Sequence, residues 1–146
     1  MEYEPIRARA LELFAAGYNC SQATFAALAP SLGMDEATAL KTAASFGGGI
    51  ARSGGVCGAL TGALLALGLK RGQCDISPEI KNAMYLRAGA LMDAFAKGRP
   101  SADCRDLIGC DLSTAEGRAA ALSRDVHKTV CRDLVAEAVR LVIEER

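Results

Sequence analysis

Tryptophan is missing from this chain, and phenylalanine and tyrosine bring the aromatic content only to 5%. The stacking platforms that single-stranded nucleic acids require are therefore not available. Nor is there an excess of one charge, because 17 Lys and Arg balance 17 Asp and Glu. Without a global field, neither nucleic acid nor an anionic membrane surface is drawn in, and both partners are set aside. A long apolar run is lacking as well: the uncharged stretch 53–69 has 17 residues and glycines at 54, 55, 58, 62 and 68. It falls short of the ~20 residues of a membrane span and reads as a buried helix. Residues 1–7 are charged and show no apolar run ending in a small-residue cleavage site, so the cytoplasm is the expected compartment.

Several motifs are absent. There is no Cys-x-x-Cys, which removes thioredoxin-type and rubredoxin-type sites, and no Cys-x-x-Cys-His for haem attachment. The metallohydrolase spacing His-Glu-x-x-His is missing. The glycine-rich stretch from Gly47 lacks a Gly-Lys-Ser/Thr ending and follows no strand, which leaves phosphate or dinucleotide binding unsupported.

What remains is a chain of 146 residues, rich in alanine and leucine, with apolar positions recurring at three and four. It predicts one all-α domain over residues 1–146, a bundle of six to seven helices with a glycine-rich loop before a small-residue central helix. Helices are expected over 5–17, 20–29 after an Asn19 cap, 35–46 after Asp35, and from Cys57 to Gly68. Ser77-Pro78 is a strong start for a helix to Lys97. A short turn follows at 104–108. The Ser113 to Glu116 spacing is that of a capping box for a short helix to Ser123, and Asp125 is placed to cap the last helix. On that helix Val130, Leu134, Ala138 and Leu141 form one stripe, while Glu144 and Glu145 should be solvated.

Six cysteines in a reducing compartment point to catalytic or metal-binding use rather than a disulfide framework. Cys20, Cys57 and Cys104 each fall where a helix begins, and free N–H groups there favour a thiolate. Such placement would pull the Cys57 thiol well below the usual ~8.5. The glycines at 47–49, 54 and 55 would give its loop freedom to open or close. Gly58, Ala59, Gly62, Ala63 and Ala66 make a flat surface on which another helix can approach closely. Cys131 should face the core from the last helix, and His127, four residues earlier, can accept a proton or supply a nitrogen ligand. Against these stand plainer readings: cysteine as a small buried hydrophobe, and His127 as a partly exposed residue near a helix start.

The ordered set Cys20, then Cys57-Gly58-Ala59-Leu60-Thr61-Gly62, then Cys104, then Cys131 resembles the family of redox-active proteins named for its C…GCAxxG…C…C signature. The resemblance runs over nearly the whole chain. It implies a helical thiol protein whose working residues match Cys20, Cys57, Cys104 and Cys131, while Cys74 and Cys110 have no clear counterpart; Cys110 is the alternative third cysteine, but Cys104 has the better helix-start context. The leading expectation is thiol–disulfide chemistry on a redox partner or small-molecule substrate, with Cys57 or Cys20 as attacking thiolate. The alternatives are a module in which the same four cysteines hold zinc or an iron–sulfur cluster, and a helical scaffold that forms a homo-oligomer through the small-residue face with inert thiols.

Overall fold

Helix-start chemistry sets most of the boundaries in the computed structural model, which describes residues 1–146 and is all-α. Helix α1 (Tyr3–Ala15) holds Pro5 in its first turn, where a missing N–H costs nothing, and the chain turns off at Gly17 with φ +107°. The cap of α2 (Cys20–Leu28) is reciprocal: Asn19 Oδ1 accepts from the Gln22 N–H at 2.9 Å, and Gln22 Oε1 accepts from the Asn19 N–H at 3.1 Å. A short 3₁₀ turn, Ala29–Leu32, carries the chain to α3 (Glu36–Thr42), which Asp35 caps. Helix α3 stops four residues before Phe46, because the chain leaves it for the tight loop described below.

Helix α4 (Gly58–Arg71) runs past Gly68, and α5 (Pro78–Ala96) starts at its Ser77 cap as the sequence indicates. After α6 (Cys104–Ile108), α7 (Ala115–Ser123) is capped one residue later than expected, by Thr114 Oγ1 accepting from the Gly117 N–H. The Ser113 hydroxyl turns back to the Asp111 carboxylate instead. Asp125 is no side-chain cap either. It has φ +53°, and its carbonyl takes the N–H groups of Lys128 and Thr129. Residues His127–Cys131 then form one π turn, closed by Arg132 N–H donating to the His127 carbonyl, before α8 (Arg132–Glu144). Eight α-helices result, one more than the six to seven expected.

Helix α2 is the centre of the molecule, with seven of its nine residues buried. It can lie against α4 because α4 presents glycine there: a Cβ on Gly62 would stand 2.7 Å from the Ser21 carbonyl oxygen and 3.0 Å from Thr24 Cβ. A Cβ on Gly58 would meet Cys20 Cβ and the Ser21 nitrogen, each at 3.1 Å. The flat face read from the sequence is thus filled by α2 of the same chain. Phe25, Leu28, Leu60, Leu67 and Phe95, with Val135, Val139 and Val142 of α8, complete the main core. A second cluster of Cys104, Ile108, Cys110, Ala121, Val126 and Cys131 packs at one end. No helix is long and apolar enough to cross a membrane.

At the acidic end Glu144 is exposed as expected, but Glu145 is not. The Glu145 side chain is 13% exposed and pairs with Lys70 at 3.3 Å, Arg71 at 2.9 Å and Arg87, tying the end of α8 to α4 and α5. Burial opposes ionisation, yet the three cations hold its carboxyl below the usual range. A carboxyl depressed in the fold stabilises above its unfolded value and loses that contribution as pH falls through its folded one. Glu145→Gln should therefore cost about 1–2 kcal/mol at pH 7 in urea denaturation, since the partners Arg71 and Arg87 are partly exposed. The gap from wild type should close below about pH 4.

Candidate functional site

The glycine-rich loop is wound rather than loose. Five successive residues, Gly48 to Arg52, have φ between +49° and +70°, a left-handed turn that includes the non-glycine residues Ile50, Ala51 and Arg52. Each such residue with a Cβ costs about 1–2 kcal/mol, so the turn needs support from its surroundings. Backbone bonds supply it: Ala51 N–H donates to the Ser45 carbonyl at 2.9 Å, Arg52 N–H to Gly47 at 3.1 Å and Gly55 N–H to Gly49 at 2.9 Å. Free motion of the loop is not what its glycines provide. Gly49 is needed because a Cβ there would stand 2.5 Å from the Gly55 carbonyl oxygen and 2.8 Å from Cys104 Cβ.

The same loop fastens two of the cysteines to each other's segments. Val56 and Asp103 form one isolated antiparallel bridge, across which Cys57 N–H donates to the Ala102 carbonyl at 2.8 Å and Cys104 N–H to the Gly55 carbonyl at 2.7 Å. Cys20 enters at the first position of α2, brought in by the glycine contact with α4, and Cys131 from the π turn before α8. All four line one small cavity of about 70 Å³ with mostly apolar walls, among them Phe14, Ile108 and Leu134. His127 lines it too, although its side chain is largely exposed, and its ring packs against Phe14 with centroids 5.6 Å apart.

Within this cavity the helix-start effect competes with burial, and burial wins at two sites. The backbone N–H groups of Ala59 and Leu60 at the head of α4 favour the Cys57 thiolate, yet burial outweighs them and pushes its pKa up to about 11. Burial also raises Cys104 to about 12, reinforced by the neighbouring sulfurs of Cys57, Cys131 and Cys110. The expectation of a low-pKa Cys57 is therefore corrected. The sulfur favoured as thiolate is Cys131: the neighbouring Cys20 thiol lowers its pKa despite burial, and a backbone N–H adds to the effect. Cys20 is pushed the other way, well above the ordinary thiol range, by Cys131 and by burial. The two sulfurs therefore titrate as a pair rather than singly.

Cys110 is the sulfur that the sequence offered only as an alternative to Cys104. It is buried in the same cluster as Cys104 and Cys131, and Arg124 Nη1 lies 3.3 Å from its sulfur. Cys104 was preferred for its helix start, and the position of Cys110 six residues later carries no helical phase across the intervening Gly109. Cys74 is exposed, and no wall of the cavity includes it. No group of three or more His, Cys, Asp or Glu side chains is disposed to hold a metal ion as the side chains stand.

A family model described as "Putative redox-active protein (C_GCAxxG_C_C)" matches residues 18–145. An "Uncharacterized protein" of Archaeoglobus fulgidus is 28% identical over 151 aligned positions, covering 97% of this chain and 93% of that protein. No solved structure matches.

Proposed function

This chain belongs to the C_GCAxxG_C_C family, and from that premise we propose that it is a thiol–disulfide redox protein whose working pair is Cys20 and Cys131. The observation that carries the reading is the convergence of Cys20 and Cys131, with Cys57 and Cys104 beside them, on one small and mostly apolar cavity, where Cys20 favours the Cys131 thiolate. A thiolate is the nucleophile in exchange with a disulfide, and a neighbouring thiol resolves the mixed species.

The cycle balances without a cofactor. Cys131 Sγ, as thiolate, attacks one sulfur of a substrate disulfide; the S–S bond breaks, a mixed disulfide forms, and the first substrate thiolate leaves. Cys20 gives up its proton to that leaving thiolate. Its own thiolate then attacks Cys131 Sγ, the mixed disulfide breaks, and the second substrate thiolate departs. Two protein sulfurs are oxidised to one disulfide, and one substrate disulfide is reduced to two thiols. Cys57 and Cys104, protonated at neutral pH, stand beside the pair as thiols to which the disulfide can pass.

The test is the order of disulfide formation. Protein carrying Cys74→Ser, to remove the exposed thiol, is equilibrated in dithiothreitol buffers of rising oxidised fraction, quenched with an alkylating agent and mapped by peptide mass spectrometry. The link between Cys20 and Cys131 should appear first. A first link that excludes either residue, or no link at any poise, overturns the assignment.

A further inference from the structure

Along the outer side of the sulfur cavity runs an open groove of about 720 Å³, within the usual size range of small-ligand sites. Gly48, Leu112 and His127 belong to the walls of both, so the groove and the cavity are neighbours across a single layer of side chains. Its charged lining is of one sign. Arg52 and Arg118 contribute guanidinium groups, and no Asp or Glu lines the groove. Six of the chain's twelve arginines have carboxylate partners, and Arg52 and Arg118 are among the six that do not. Arg118 Nη1 donates to the Leu112 carbonyl at 3.0 Å, which orients its planar group along the groove wall and leaves its other N–H groups free. Arg52 projects from the left-handed turn, whose backbone bonds fix its root. Tyr18 and Leu122 add exposed apolar surface beside the two cations.

Two unpaired forks in a concavity that borders the thiols match a ligand with an anionic end and a reactive end. We propose that this groove binds the substrate of the thiol pair, and that the substrate is a small organic anion holding a carboxylate or phosphate at Arg52 and Arg118 and presenting its disulfide to the cavity past His127. The inference rests on the thiol–disulfide reading for its reactive end, while the anion site itself stands on the two arginines.

Two measurements separate those parts. In the first, backbone amides are followed by NMR while the unreactive dianion isophthalate or its neutral diamide is added. Isophthalate should shift the amides of Tyr18, Ser45, Gly47 and Ala51; the diamide should not, and Arg52→Gln with Arg118→Gln should abolish the response. In the second, wild type and variants in the Cys74→Ser background react with the dianionic dithiobis(nitrobenzoate) and the uncharged dithiodipyridine. The double glutamine variant should lose about tenfold in rate with the anion and stay within about twofold with the neutral probe. Arg52→Lys with Arg118→Lys, which keeps both charges, should restore most of the rate. Raising ionic strength from about 0.01 to 0.3 M should slow only the anionic reaction. Equal slowing of both probes, or isophthalate shifts that survive removal of both arginines, overturns the groove as an anion site. Isophthalate binding together with thiols inert to both disulfides keeps the anion site and overturns both the thiol reading and the substrate assignment built on it.

Discussion

Cys131→Ser, in the Cys74→Ser background, is expected to slow the reaction of the native protein with dithiodipyridine at pH 7 by about tenfold or more. The magnitude follows from Cys57 and Cys104, two of the four sulfurs left behind. Each additional pKa unit costs about tenfold in thiolate fraction at neutral pH and returns only about threefold in intrinsic nucleophilicity. Cys57, at about 11, stands two units above the unperturbed 9.0, whereas Cys131 lies below it. Cys104, at about 12, is further from ionising still. Cys57→Ser should therefore change this rate little, and a stopped-flow trace in which Cys57→Ser removes the fast phase while Cys131→Ser keeps it would reverse the roles of the two residues. The pH profile supplies an independent check. Cys20→Ala deletes the neighbour that favours the Cys131 thiolate, so the half-maximal rate should move to higher pH.

Gly49→Ala is expected to destabilise the fold by about 3 kcal/mol or more in urea denaturation. Two costs combine. At φ +70° any residue with a Cβ carries about 1–2 kcal/mol of backbone strain. The new methyl would also press on the Gly55 carbonyl oxygen at 2.5 Å, the Gly55 nitrogen at 2.6 Å and Cys104 Cβ at 2.8 Å, and neither backbone atom can swing away. Gly98→Ala isolates the first cost, because Gly98 has φ +76°, close to that of Gly49, but nothing within 4 Å of the added carbon. The Gly49 variant should be the more damaged by at least about 1 kcal/mol, and its Cys104 should alkylate faster in the native state. Equal losses for the two glycines would mean that the contact with Gly55 and Cys104 does not constrain the loop.

Much of the helical framework was legible because its signals are local. Asn19 with Gln22, Asp35 with Thr38, and Ser77 before Pro78 each act on backbone groups within three residues, so their effect survives whatever the rest of the chain does. Cys20, Cys57, Cys104 and Cys131 could be singled out together by their order around Cys57-Gly58-Ala59, and all four line one cavity. Which of them ionises was not legible. A helix start lowers a thiol's pKa in isolation, but at Cys57 the outcome depends on burial by α2 and α8, and at Cys131 on a neighbour 111 residues away in sequence. The left-handed turn escaped for a related reason. Gly47 to Gly49 announce a turn, but Ile50, Ala51 and Arg52 have side chains that disfavour positive φ, and only the bonds to Ser45, Gly47 and Phe46 hold them there. Glu145 looked like a solvated tail because its three cations come from α4 and α5, far along the chain.

The π turn at His127–Cys131 gives the last helical segment two faces with different neighbours. An uninterrupted α-helix would stack residues four apart nearly in line, giving His127 and Cys131 similar surroundings. With Arg132 bonded back to His127 over five residues, the register shifts between them. The histidine stays at the wet boundary with the groove while the sulfur drops into the dry interior behind it. One widened turn thus acts as a seam between solvent and cavity, and a deletion of one residue within it would bring the two sides back into phase and misalign whichever one the core of α8 did not hold.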